Sequence, residues 1–160
     1  EKNLANGRTS NRTAEKGNST YRDNYYEVDF FVKEGKVTAV VYWLVSNKKR
    51  IVKPSNVGRA KCSPNDVFNE HIGKAIALGR ALGLDVSEFE QAVQPTEFVT
   101  GQIITYTSEL AGRDRGGNFE ISYIEDDTLW FDDESGYDLC DEDWKPKILN
   151  DTNAIYEVES

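Results

Sequence analysis

The run from Lys36 to Val45 is apolar on both faces when read as an extended strand. Val37, Ala39, Val41 and Trp43 point one way, and Val40, Tyr42 and Leu44 point the other. A strand of this kind has no face to give to water, so it belongs at the centre of a sheet covered on both sides. The preceding run, Tyr25 to Lys33, is β-branched and aromatic, and Glu34-Gly35 between the two runs predicts a tight hairpin. Ser46 to Lys49 reads as a polar turn into a third strand near Arg50 to Lys53, and Val57 to Cys62 as a fourth. Eight Tyr, seven Phe and three Trp in 160 residues are enough aromatic side chains for a packed core. Residues 1–20 lack such side chains and read as a flexible arm, because they bury too little to offset the entropy of ordering.

After the sheet comes a helical pattern. Ser63 can cap, Pro64 fits the first helical position and Asp66 completes a capping box. Phe68, Ile72, Ala75, Ile76 and Leu82 recur at helical spacing, and Gly83 supplies a stop. Gly73, Ala77 and Ala81 form a row of small residues that lets the helix lie close to a neighbour. Ser87 and Glu90 open a shorter helix that is over by Pro95.

From Phe98 the pattern changes to short strands separated by glycine-containing turns: Phe98 to Thr107, Phe119 to Ile124, Thr128 to Phe131, and Ala154 to Val158. That punctuation predicts a small SH3-like β-barrel. The fold class expected is therefore α+β: an arm (1–20), an antiparallel sheet with a packed helix (21–94), and an SH3-like β module (95–160).

Charge divides along the same line. Residues 1–93 hold 15 Lys and Arg against 11 Asp and Glu, a net of +4, whereas residues 94–160 hold 4 against 17, a net of −13. An asymmetry of that size bears on partners more than on fold. No apolar run approaches the ~18 residues that a membrane-spanning helix needs, so no membrane partner is expected. Cys62 and Cys140 lie far apart and read as reduced thiols of a cytoplasmic protein.

No catalytic constellation stands out. The one histidine, His71, has Glu70 and Lys74 as near neighbours, and Cys62 precedes it by nine residues. A Cys62–His71 pair, or a Cys62–His71–Asp66 metal site, can be drawn but matches no closed zinc pattern. Gly112-Arg113-Asp114-Arg115-Gly116-Gly117 lacks the Lys-Ser/Thr and the following helix of a phosphate loop, and reads as a hairpin. The expectation is a non-enzyme with no cofactor and no metal.

The stretch Glu120 to Asp143 holds eleven carboxylates and no basic residue, with Trp130, Phe131, Tyr137 and Trp144 interleaved. Three readings compete: a solvated face over an aromatic core, a weak calcium site at Asp132-Asp133-Glu134 or Asp141-Glu142-Asp143, and a surface that presents spaced charge to a basic protein as a nucleic-acid mimic would. The third names Glu125, Asp126, Asp127, Trp130, Asp132, Asp133, Glu134, Asp141, Glu142, Asp143 and Trp144 as contact residues. In the first domain Lys48, Lys49, Arg50, Lys53, Arg59 and Lys61 cluster near Tyr25, Tyr26, Tyr42 and Trp43. They offer an alternative, binding of nucleic acid or a nucleotide signal, against ordinary strand-edge charge. Self-association through the arm or an open strand edge is a further use of that surface.

The segment Ala60-Lys61-Cys62-Ser63-Pro64-Asn65-Asp66-Val67-Phe68, running into Gly73-Lys74-Ala75-Ile76-Ala77-Leu78-Gly79-Arg80-Ala81-Leu82, resembles one found in small accessory proteins of tailed phages of Gram-positive bacteria. The acidic tail, with Asp127-Thr128-Leu129-Trp130-Phe131-Asp132-Asp133-Glu134 and Tyr156-Glu157-Val158, is similar to SH3-like modules in the same proteins. The resemblance covers about two thirds of the chain and carries no reaction and no site residues. It implies a phage or prophage origin and an accessory role in the host cytoplasm. With the charge split it leads to one expectation, a protein that binds and inhibits a host factor, as in counter-defence or host takeover.

Overall fold

The computed structural model describes residues 18–45, 49–50, 54–108, 113–114 and 117–157. They form mixed, mostly sheet structure in two compact units. One comprises the chain up to Cys62 together with Glu70–Ala92, and the other Ser63–Asn69 together with Val93–Ser160.

The first unit is a four-stranded antiparallel meander, β1 (Asn18–Arg22), β2 (Tyr26–Lys33), β3 (Lys36–Trp43) and β4 (Asn56–Lys61), paired in that order. Glu34 and Gly35 both adopt left-handed backbone, at φ 50° and 71°, as a two-residue hairpin with the right twist requires. Residues 18–20, expected in the arm, are strand: Ser19 pairs with Phe30, and the Thr20 hydroxyl donates to Asp29 at 2.9 Å. The rest of the expected arm lies outside the described residues.

Helix α1 (Glu70–Ala81) lies on β3 and β4. Its small-residue row makes that approach close. A Cβ at Gly58 would sit 1.8 Å from the Ala77 carbonyl oxygen, and Asn56 donates to the Ala81 carbonyl at 2.6 Å. Val28, Val37, Ala39, Val41, Ala60, Ala77 and Ala81 are buried, mostly on this face. The helix ends as the sequence predicts: Gly83 is left-handed, with Leu84 N–H donating to Gly79 and Gly83 N–H to Arg80. A four-residue helix α2 (Ser87–Glu90) follows.

The helix does not start at the Ser63 cap. Asp66 N–H closes a turn onto Ser63, and Phe68 then pairs in parallel with Asn150, exchanging hydrogen bonds with Leu149 and Asp151. Those strand-like bonds hold 67–69 extended as part of the second unit, and override a local capping signal.

The second unit contains β5 (Ile103–Ser108), β6 (Arg113–Asp114), β7 (Phe119–Glu125), β8 (Thr128–Phe131), β9 (Gly136–Asp138) and β10 (Trp144–Asn150). The path is β10-β5-β7-β8-β9, all antiparallel, with β6 paired beside β5. No closed barrel forms among the described residues: β9 and β10 end the path, and β9 is only three residues long. Strand β10 takes the place of the strand expected at 154–158, of which 154–157 carry no regular structure. Its Pro146, opposite Tyr106, is tolerated because β10 is an end strand. The core is Ile104, Tyr106, Ile121, Leu129, Phe131, Tyr137 and Ile148, with Val67, Phe98, Phe119 and Leu139 against it. Tyr106 holds Phe119 and Tyr137 at ring distances of 5.2 and 5.1 Å.

Candidate functional site

The acidic run wraps the three-stranded part of this second sheet, β7-β8-β9. All eleven of its carboxylates are exposed. They gather at the strand ends because the inward positions, Ile121, Leu129, Phe131 and Tyr137, are taken by the core. One end is the β7–β8 turn, where Asp126 and Asp127 both take left-handed backbone at φ 48° and 58°. Leu139 N–H binds the Asp127 carbonyl at 2.9 Å, so Asp138 at the end of β9 joins this end. The opposite end is the β8–β9 loop, Asp132-Asp133-Glu134. Phe131 N–H donates to the Ser135 carbonyl and Glu134 is left-handed at φ 62°. Strand β8 separates the two ends, Asp127 and Asp132, by about 16 Å at ~3.3 Å per residue.

Several of these carboxylates have local structural work. Asp133, Asp138 and Asp141 each accept the backbone N–H two residues on, from Ser135, Cys140 and Asp143, at 3.0, 2.8 and 3.0 Å. Such bonds close turns and explain aspartate there without a partner. Asp132 accepts the Ser122 hydroxyl across the sheet. The negative field is strong enough to act on its neighbours. The Asp138 carboxylate, by its charge first and then its hydrogen bond, raises the Cys140 thiol above its ordinary pKa. Burial, then the charges of Asp141 and Asp138, raises Tyr137.

Between the acidic ends lies an aromatic strip. The β7–β8 pairing slips between Ile121 and Tyr123, and this irregularity brings Tyr123 opposite Trp130. The two rings stack at 5.8 Å with 12° between their planes, and Tyr123 is 49% exposed. On the other side of Trp130 is Gly136, paired with it across β8 and β9. A Cβ at Gly136 would meet Trp130 ring carbons at 3.2 Å, so glycine leaves the indole room to lie over the sheet. Sequence reasoning picked out Trp130 but missed Tyr123 and Gly136. The only signal was that Tyr123 and Trp130 sit at equal distances from the Asp126-Asp127 turn.

The structure places the remaining expected residues as follows. Glu125, Glu142 and Asp143 are exposed with the rest of the run. The Trp144 backbone pairs with Ser108, while its side chain, like Lys48 and Lys53, lies outside the described residues.

In the first unit Lys49, Arg59 and Lys61 are exposed, but Arg50 is not the surface cation the sequence suggested. It is drawn to the sheet face away from the helix, with its side chain 1% exposed. There it contacts Glu27 at 2.7 Å and Asp29 at 2.9 Å, and lies 3.6 Å over the Tyr42 ring. The Arg22 side chain stands 3.8 Å from Glu27 on its other oxygen. Two buried carboxylates demand a cation, and Arg50 answers that demand.

The face also carries exposed cations, of which sequence reasoning grouped Arg59 and Lys61 but not Lys33 and Lys36. The register sets Lys33 opposite Lys36 and Lys36 opposite Lys61, with Thr38 opposite Arg59. Cys62 is half-buried at the end of β4 and His71 is exposed on the first turn of α1. Among the described residues no three metal-ligating side chains come together, and no helix is long and apolar enough to cross a membrane. Comparison with protein-family models, with curated proteins and with solved structures found no match to this chain in any of the three.

Proposed function

We propose that this is a phage-encoded, non-enzymatic accessory protein that binds a host protein in the host cytoplasm and inhibits it, with the acidic face of the second unit as the recognition surface. The observation that carries the reading is the arrangement of that face: eleven exposed carboxylates on a sheet that also carries a stacked pair, exposed Tyr123 and half-buried Trp130. Dispersed solubilising charge needs no exposed aromatic anchor, whereas binding surfaces concentrate Tyr and Trp at their centres. Charge of one sign on a rigid sheet steers a basic partner and competes for a nucleic-acid-binding site, with an effect that weakens in salt. We read the second unit as an SH3-like module left open at its edges, because its last strand, β10, pairs beside its first, β5.

The test is capture from host lysate at low and high salt with the whole chain as bait. Asp126→Asn, Asp127→Asn and Glu134→Gln together remove three charges at turn tips, and asparagine suits left-handed backbone as well as aspartate does. A salt-sensitive host protein that is retained by the wild type and lost by this variant supports the reading. Capture that ignores both salt and the three substitutions sinks it.

The second reading is binding of nucleic acid or a nucleotide signal by the first unit. It is favoured by one observation, the cross-strand row Lys33–Lys36–Lys61 with Arg59 on the same face. Like charges placed opposite one another cost stability unless an anion relieves them. Thermal stabilisation by single-stranded RNA or DNA, abolished in Lys36→Ala/Lys61→Ala, is its signature. Unchanged melting with both ligands removes it.

A further inference from the structure

We infer that the Tyr123–Trp130 strip takes an arginine side chain from an extended, basic segment of the partner protein; this rests on the reading that the acidic face docks a basic protein. The occupant follows from charge and shape. Aromatic faces carry negative quadrupole, and an indole is the best of them for a cation. A guanidinium is planar and weakly hydrated, so it stacks on a ring at less desolvation cost than an ammonium does. Trp130 is held for such stacking, flanked by Tyr123 on one side and by the side-chain-free Gly136 on the other. No cation already sits on this pair among the described residues; Arg50 on Tyr42 and Lys74 on Phe30 are cation–ring contacts of the first unit.

The acidic ends set the spacing of the charges on the ligand. Asp126 and Asp127 lie at one end of the strip and Asp132, Asp133 and Glu134 at the other; the residues that flank the four-residue strand β8, Asp127 and Asp132, stand about 16 Å apart. In an extended chain, side chains at alternate positions share a face, and the first and fifth residues stand about 13 Å apart, so two outer arginine side chains that splay outward span the acidic ends. A segment with basic residues at positions one, three and five therefore sets its central side chain on Trp130 and its outer two against the acidic turns.

The test is calorimetric titration of the whole chain with three capped peptides. The first is Gly-Arg-Thr-Arg-Thr-Arg-Gly, the second carries citrulline in place of the central arginine, and the third carries lysine there. The arginine peptide binds at low salt and weakens in high salt. The citrulline peptide, isosteric but neutral, binds about tenfold more weakly, with lysine between. In the protein, Trp130→Leu loses about tenfold for the arginine peptide and nothing for the citrulline peptide, while Trp130→Phe keeps most of the binding. Urea unfolding of both variants separates a loss of binding from a loss of fold. Equal affinity for arginine and citrulline, or failure of all three peptides to bind, overturns the arginine inference. If host capture still depends on Asp126, Asp127 and Glu134 in that event, the acidic docking reading stands without it.

Discussion

Glu27 and Asp29 in the first unit and Asp126 and Asp127 in the second are carboxylate pairs of the same chemistry under opposite conditions. The first pair is 1% exposed and grips Arg50 at 2.7 and 2.9 Å, and the second stands in solvent at a turn tip. Burial decides what each pair can do. A carboxylate inside must have its cation built into the chain, so its charge is spent on holding the fold. A carboxylate outside contributes little to stability and leaves its field free for a partner. Sequence charge counts treat the two alike, and so the +4 and −13 of the two halves do not measure what each half presents. Arg50 is counted as basic surface and contributes none.

The largest effect expected from this contrast is at Arg50. Arg50→Ala leaves Glu27 and Asp29 buried without their closest cation, and should cost about 3–5 kcal/mol of stability. Urea unfolding measures it. Adding Glu27→Gln and Asp29→Asn should restore part of the loss, because the charges that needed compensation are gone. A loss under about 1 kcal/mol for Arg50→Ala, in the range of an exposed pair, would break the distinction between buried and exposed charge.

That distinction was only partly legible in the sequence. The Lys36–Val45 run announced a central strand, and β3 is flanked by β2 and β4. The Glu34-Gly35 turn and the Gly83 stop were legible because each depends on two or three adjacent residues. Glu27 and Asp29 alternate in β2 with Val28 and Phe30, a pattern that normally means one face in water. The opposite strand contradicted it, since Val40 and Tyr42 pair with Asp29 and Glu27 on that same face. Finding Arg50 as their counterion needed a long-range contact that no local pattern encodes. Strand β10 was hidden by Pro146, and the extended 67–69 segment by a capping signal that a distant strand outcompetes. At the candidate site the exposure of the carboxylates was readable, because a core already filled with Ile121, Leu129 and Phe131 leaves them nowhere else to go. The Tyr123–Trp130 stack was not readable, because the irregularity at Ser122 breaks the alternation.

A smaller effect is expected at the acidic turns, with the opposite sign. Asp127 and Glu134 hold left-handed backbone that costs a side-chain-bearing residue up to about 1 kcal/mol relative to glycine. Glu134→Gly should therefore raise stability by roughly 0.5–1 kcal/mol, and Asp127→Gly by less, since aspartate tolerates this region better. A rise in the urea midpoint together with weaker binding to the arginine peptide would show stability and recognition traded against each other at one position. If Glu134→Gly lowers stability, the carboxylate has a structural role and Glu134 moves to the same side of the comparison as Glu27.

At Asp23 the effect is smaller still and is confined to acid. Its carboxylate accepts N–H bonds from Tyr25 at 2.6 Å and Tyr26 at 2.8 Å, closing the β1–β2 turn, and the Tyr26 bond chiefly holds its pKa below the ordinary value. A lowered folded-state pKa means that the contribution is present above the unfolded carboxyl value, near 3.9, and is lost as pH falls through the folded one. Asp23→Asn should thus melt slightly lower than the wild type at neutral pH, and the two curves should converge once the pH has fallen below the lowered folded-state value. A constant gap across that range would assign the turn to side-chain shape and not to charge.

The smallest effect leaves stability alone and reads the exposed field directly. Cys140 is a free, exposed thiol whose pKa is raised first by the charge of Asp138, then by its hydrogen bond to that carboxylate, with Asp127 adding at longer range. Thiolate is the species that alkylates, so a raised pKa slows the reaction at mildly alkaline pH. Alkylation of Cys140 by iodoacetamide, followed peptide by peptide, should be slow for an exposed cysteine, faster in Asp138→Asn, and less markedly faster in Asp127→Asn. Added salt should narrow the difference for Asp127 more than for Asp138, because the closer charge acts partly through a direct hydrogen bond that salt does not screen. If neither substitution changes the rate, the carboxylates around β9 exert too weak a field to hold a cation, and the recognition surface contracts to the aromatic strip and the Asp132-Asp133-Glu134 loop.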